Sequence, residues 1–143
     1  MYQKIFFDAN VLLDLFDPER VNHAYSVSLY SYLVKSRKEL YTSCDIITTL
    51  YYVDAKRGKL QTLHNIEDIN KILKIIPFSN KEVADTCTLM REESRYGDLE
   101  DTIQYVLAKR EGCDLIVSND DNFYAADIGV MTSRRFCEKV GIM

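Results

Sequence analysis

Asp98 to Asp120 reads DLEDTIQYVLAKREGCDLIVSND, and the order of its signals decides the fold. Gly97 breaks the preceding pattern, Asp98 to Glu111 is predicted as a helix, and Gly112 ends it. Asp114 to Ser118 (DLIVS) is an almost unbroken apolar run of the kind that forms a strand buried on both faces. Asn119 to Asn122 (NDDN) is a polar loop. A helix that runs within a few residues into a two-face-buried strand is one unit of a parallel sheet.

The same alternation extends in both directions. Upstream, Lys4 to Phe7 (KIFF) predicts a strand that ends at Asp8, and Asn10 to Phe16 a short helix stopped by Asp17-Pro18. Val21 to Lys35 predicts a longer helix with Val21, Tyr25, Leu29, Tyr32 and Leu33 on its apolar side. Glu39 to Thr42 reads as a strand. Cys44 to Lys56 reads as a helix, with Ser43 or Asp45 available as its cap and Gly58 as its stop. Leu63 to Ile75 shows a helical period through Leu63, Ile66, Ile69, Ile72, Leu73 and Ile76, and Ile75 to Phe78 a brief edge strand. Asn80 caps a helix running to about Arg95. Downstream, Gly129 to Thr132 is a last strand and Ser133 to Val140 a closing helix. The expected fold is α/β, a single domain over residues 1–143 in which helices cover both faces of a central parallel sheet.

Composition sets the outer limits. With 143 residues, 47% of them hydrophobic, the chain can bury roughly two-thirds of its unfolded surface and needs no staples. No apolar run approaches the ~20 residues of a membrane helix. The opening Met1-Tyr2-Gln3-Lys4 carries no signal peptide, so a cytoplasmic protein with no membrane contact is expected. Cys44, Cys87, Cys113 and Cys137 lie far apart and include no C-x-x-C pair, which predicts reduced, partly buried thiols. A net charge of −4 argues against a dedicated DNA-binding module, but not against an enzyme that grips phosphate through metal ions.

Ligands of open parallel sheets bind beyond the carboxyl ends of the strands, and there the sequence places acids. Asp8 follows the first strand; Asn119, Asp120 and Asp121 follow the strand that ends at Ser118. Asp98 and Asp101, three apart at a helix start, share one face. Each of these can be a helix cap or a dipole partner. Together they form three acidic clusters on one sheet edge, a costly arrangement unless a cation offsets it. All-oxygen ligands suit Mg2+ or Mn2+ rather than zinc. A metal pair about 4 Å apart activates water and stabilises the leaving oxygen of a phosphodiester.

The stretch Phe7 to Asp14 (FDANVLLD) resembles the opening of PIN domains, and Asp98-Leu99-Glu100-Asp101-Thr102-Ile103-Gln104-Tyr105 through Ile116-Val117-Ser118-Asn119-Asp120 resembles their second half. The resemblance spans nearly the whole chain. It implies a three-layer α/β/α fold and a metal-dependent endoribonuclease with Asp8, Asp98, Asp101 and Asp120 as catalytic acids and metal ligands, binding Mg2+ or Mn2+. Small members of this family are often the toxins of VapC-type toxin–antitoxin pairs, and often dimerise, so an antitoxin protein and a second copy are the implied partners beside the RNA substrate. The family usually carries a further acid in the helix after the second strand. Thr49 stands there, with Asp45 one turn earlier, either as a substitute or as a helix cap.

Asn10, Thr49, Arg95 and Ser118 are candidate substrate contacts: Arg95 for a phosphate, Ser118 for a phosphate or metal-bound water, Thr49 to orient water, and Asn10 to orient Asp8 or merely cap a helix. Asp14 and Asp121 read as solvent-facing or structural, and most of the ten tyrosines as packing groups. A catalytically weakened PIN-like module that binds nucleic acid or protein is the alternative. An aspartate-nucleophile phosphatase is disfavoured, because Asn10-Val11-Leu12 replaces the D-G-T of that class.

Overall fold

The computed structural model describes residues 1–143. Five strands form one all-parallel sheet: β1 (Lys4–Phe7), β2 (Glu39–Ser43), β3 (Lys74–Ile76), β4 (Leu115–Val117) and β5 (Gly129–Met131), in the order β3-β2-β1-β4-β5. Seven helices connect and cover them: α1 (Ala9–Phe16), α2 (His23–Lys35), α3 (Cys44–Asp54), α4 (Lys59–Asn70), α5 (Asn80–Glu92), α6 (Leu99–Arg110) and α7 (Ser133–Val140). α1 packs on α2 and α3, α2 on α7, α3 on α4, and α5 on α6. This is the helix-flanked parallel sheet expected from the alternation of elements. No helix is long and apolar enough to cross a membrane.

The core lies along the two central strands. Ile5, Phe6 and Phe7 of β1 and Leu115, Ile116 and Val117 of β4 are fully buried, which is why both read as unbroken apolar runs rather than as alternating ones. Their register pairs Ile5 with Leu115, Phe6 with Ile116 and Phe7 with Val117. Chain order reverses between these strands, since β1 leads outward to β2 and β3 while β4 leads to β5. The crevice beyond their carboxyl ends is the switch point where such sheets hold ligands.

Several boundaries differ from expectation. Val21 lies outside α2 and is 94% exposed, because the chain turns after Pro18 and the helix starts only at His23. The period read from Leu63 to Ile76 belongs to two elements: α4 ends at Asn70, and Leu73 and Ile76 are buried by a turn and by β3. Leu63 and Ile72 are exposed, and Pro77 falls just outside the strand. Ser79, not Asn80, caps α5, in a capping box with Glu82, and the helix stops at Glu92 rather than near Arg95 because Glu93 is extended. Residues Ala55–Arg57 leave α3 as a 3-10 turn. All four cysteines are unpaired; Cys113 and Cys137 are buried, whereas Cys44 and Cys87 are exposed rather than partly buried.

Candidate functional site

The register that aligns Phe7 with Val117 sets the next residues, Asp8 and Ser118, side by side at the switch point. Asp8 closes the sheet ladder through its backbone N–H, which donates to the Val117 carbonyl at 3.0 Å. Its side chain is fixed by three donors. Oδ1 accepts from the Ala9 N–H at 2.7 Å, capping α1, while Oδ2 accepts from the Ser118 hydroxyl at 2.7 Å and the Asn10 amide at 3.1 Å. One oxygen therefore caps the helix, as the cap reading expected, while the other ties Asp8 to Asn10 and to Ser118 of the neighbouring strand end. Burial nevertheless raises its pKa, with Asp120 adding to the effect and the donors opposing it.

Asn10 and Ser118 join the two strand ends. The Asn10 carbonyl accepts the Asn119 N–H at 2.8 Å while its amide donates to Asp8. The Ser118 hydroxyl, buried at 1% exposure, donates to Asp8 and accepts the Asp120 N–H at 3.1 Å. Asn119 extends the clamp. Its amide donates to Asp14, and its carbonyl accepts from the backbone and hydroxyl of Ser133 at 2.8 and 2.9 Å. Asp14 is buried and also accepts from Arg20, so its place is structural. This network holds the loop carrying Asp120 against α1 and α7.

The second wall is the start of α6. Asp98 is its cap, accepting the Asp101 N–H at 2.9 Å. Asp101, one turn in, is half-buried. Burial and then the charges of Asp8, Asp98, Asp120 and Glu100 push its carboxyl up to about 7, and no hydrogen bond or cation opposes them. Glu100 is raised too, by desolvation and then by Asp45, Asp8 and Asp98. Asp8, Asp98, Asp101 and Asp120 thus share one electrostatic neighbourhood, with Glu100 as an additional member.

Asp45 belongs to its margin as well. Ser43 occupies the cap position of α3, and Asp45 sits in the first turn, where it accepts the Ser43 hydroxyl and lies near enough to Glu100 to raise its pKa. Thr49 follows one turn later, half-buried. A carboxylate therefore stands near the place where the sequence looked one acid short. Arg95 lines the adjacent cleft, but its guanidinium is taken up by Glu93 through bonds of 3.1 and 3.0 Å.

Sequence reading missed Gln104. It is completely buried, and neither side-chain atom has a hydrogen-bond partner, although the amide lies near enough to Asp8 to lower that group's pKa. Buried amides without partners are rare and call for an explanation. Only its i+3 spacing from Asp101, on the helix that carries the acids, could have drawn attention to it.

The donor set is all carboxylate oxygen with an amide and a hydroxyl behind it. No three His, Cys, Asp or Glu side chains are drawn tightly enough together to close a metal shell by themselves. Magnesium keeps several waters and takes only one or two carboxylates from a protein, so a loose acidic edge with half-exposed oxygens fits it, or manganese, better than a closed protein cage would. An unneutralised cluster also burdens the fold. Between pH values of about 4 and about 7 the native Asp101 keeps a proton that the unfolded chain has released, so stability falls as pH rises through that window. Unfolding in chelator at about pH 5 and about pH 8 is expected to show this loss, and Asp101→Asn is expected to reduce it.

The structure is thus an α/β protein with carboxylates gathered at the switch point of its parallel sheet. The PIN domain model matches residues 5–129, most of the chain, and the chain belongs to the PIN domain family. It is 50% identical over 137 residues to Ribonuclease VapC1 of Aquifex aeolicus (strain VF5), covering 96% of this chain and 95% of that protein. Its fold is similar to that of VapC20 of Mycobacterium tuberculosis, a sarcin-ricin loop cleaving toxin, with TM-score 0.66, 14% identity, and coverage of 83% and 92% of the two chains. A toxin–antitoxin complex from Klebsiella pneumoniae is similar in fold, with TM-score 0.66, 20% identity, and coverage of 90% and 97%.

Proposed function

We propose that the chain is an endoribonuclease that uses a divalent cation, Mg2+ or Mn2+, to hydrolyse RNA phosphodiester bonds. The observation that carries this is the gathering of half-buried Asp101 with Asp8, Asp98, Asp120 and Glu100 at the sheet's switch point, where the nearby Arg95 guanidinium is taken up by Glu93. The half-identical Aquifex relative, named a ribonuclease, supplies the substrate class. Of Asp8, Asp98, Asp101 and Asp120, one or two would hold the cation directly and the others through its waters, with Glu100 at the rim. Bound there, the cation would neutralise the cluster, lower the pKa of water and offset charge on the leaving oxygen.

The chain's own groups do the rest. Ser118 and Asn10 fix one Asp8 oxygen, and the Ser118–Asp8 and Asn119–Asn10 bonds keep the two strand ends from parting. Gln104 backs Asp8 from the core side and is read as a second support for it. Gln104→Leu, similar in size, is expected to raise the stability of the metal-free chain by removing an unpaired buried amide. The same change is expected to weaken Mn2+ affinity by about tenfold, as loss of outer-sphere support does. Calorimetry and thermal unfolding read the two effects separately.

In the cell we read the chain as a toxin of the VapC type, restrained by an antitoxin protein and able to pair with a second copy. The four unpaired thiols suit the reducing cytoplasm. A catalytically weakened binding module remains the second reading, favoured by Thr49 at the usual acid position and weighed down by Asp45 beside it. The test is purified chain on labelled single-stranded RNA with Mg2+ or Mn2+. Internal cleavage abolished by chelator is expected; retention of RNA without cleavage would support the binding module.

A further inference from the structure

A cleft of about 350 Å³ is lined by the acids Asp98, Asp101 and Asp120 together with Arg95, Asn122 and Tyr124. Part of its wall is built of flat groups. The Arg95 guanidinium lies 4.9 Å from the centroid of the Tyr124 ring. Tyr124 is backed edge-on by buried Tyr96, with ring centroids 4.8 Å apart at 69°. Tyr96 in turn packs on Tyr105 at 5.1 Å, and its hydroxyl accepts the Ala126 N–H at 3.0 Å. The wall is therefore anchored to the core rather than carried on a loose loop.

Charge decides what such a cleft accepts. Three carboxylates line it, and its one guanidinium is already paired in a two-bond fork with Glu93. A second phosphate would find no unpaired protein cation here, whereas a neutral, planar ring would meet the outer plane of the guanidinium seated on Tyr124 and the exposed Asn122 amide. From this we infer that the cleft is a subsite for one unpaired nucleobase of the RNA, next to the phosphate that is cut, with the Arg95 guanidinium, seated on Tyr124, as its stacking plane and Asn122 at the base edge. Bases of single-stranded RNA are recognised in this way, by stacking on aromatic and guanidinium planes with hydrogen bonds at the edge. The subsite rests on the ribonuclease reading above, and gives that reading a source of sequence preference.

The test uses short single-stranded RNAs with one abasic residue walked past the cleavage site, cut by the wild-type chain with Mg2+. One position adjacent to the cut is expected to raise KM by roughly tenfold or more while kcat changes little. Tyr124→Leu, which keeps apolar volume against Tyr96, is expected to show the same rise on intact RNA and no further rise on the abasic RNA. Its Mn2+ affinity is expected to match wild type. Equal cleavage of every abasic RNA, or losses from the variant and the abasic site that multiply, would overturn the subsite and leave the ribonuclease reading standing. A wild-type chain that cuts no RNA would overturn both. The abasic series is read on the wild-type chain, so it decides the matter even if the variant folds poorly.

Discussion

Asp8→Asn is expected to lower metal-dependent RNA cleavage by at least about a hundredfold, the scale on which removal of one preorganised charge-stabilising group registers. Among the acids of the site it is the one placed by the sheet itself, its own N–H making the ladder bond to Val117. Asparagine keeps the length and can still accept the Ala9 N–H that caps α1, so the local backbone has no reason to move. What it loses is the charge of the oxygen shared by Ser118 and Asn10. Metal-free stability is expected to change little, because relief from the neighbouring carboxylates offsets the poorer match to Asn10. Loss of activity with an unchanged melting temperature in chelator is the signature; parallel loss of both would mean that Asp8 is a helix cap and nothing more.

Phe6→Ala is expected to destabilise the chain by about 3–5 kcal/mol, the usual range for deleting a fully buried phenylalanine. Domains of this kind are held by only about 5–15 kcal/mol, so this one substitution removes a large share of the total. Phe6 is completely buried on the central strand, between Tyr41 of β2 and Ile116 of β4 in the sheet. It is also two residues from Asp8, so the strand that carries the core delivers the site. Urea unfolding measures the effect. A loss below about 1 kcal/mol would show that the position can collapse around a smaller side chain, and that β1 is less central than its burial implies.

The central strands were legible because burial on both faces writes itself as an unbroken apolar run: KIFF is β1 residue for residue, and DLIVS contains β4 with one polar residue to spare on each side. The acids were legible for a related reason, since a strand end in a parallel sheet is a place as well as a sequence position. The stretch from Leu63 to Ile76 was not, because the buried residues of α4 and β3 run on without a Gly or Pro between them. Long-range partners were equally hidden. Asn119 finds Asp14 across 105 residues, and nothing local marks either as half of a pair. Asp45 looked like a cap because it starts a helix, and only the fold brings it near Glu100. Gln104 and Tyr124 have no motif of their own. One is set apart by a missing hydrogen bond, and the other by a ring stacked beneath a guanidinium.

We propose that the acidic edge is a divalent-cation site. Calorimetric titration of Mn2+ into the metal-free chain at about pH 8 and about pH 6 tests it most directly, because Asp101, held up at about 7, must give up its proton for the ion to bind. Binding at the higher pH, weakened at the lower and lost in Asp8→Asn, is the expected result. Absence of binding at millimolar Mn2+ at either pH, or affinity indifferent to Asp8, would show that the acidic edge is not a cation site.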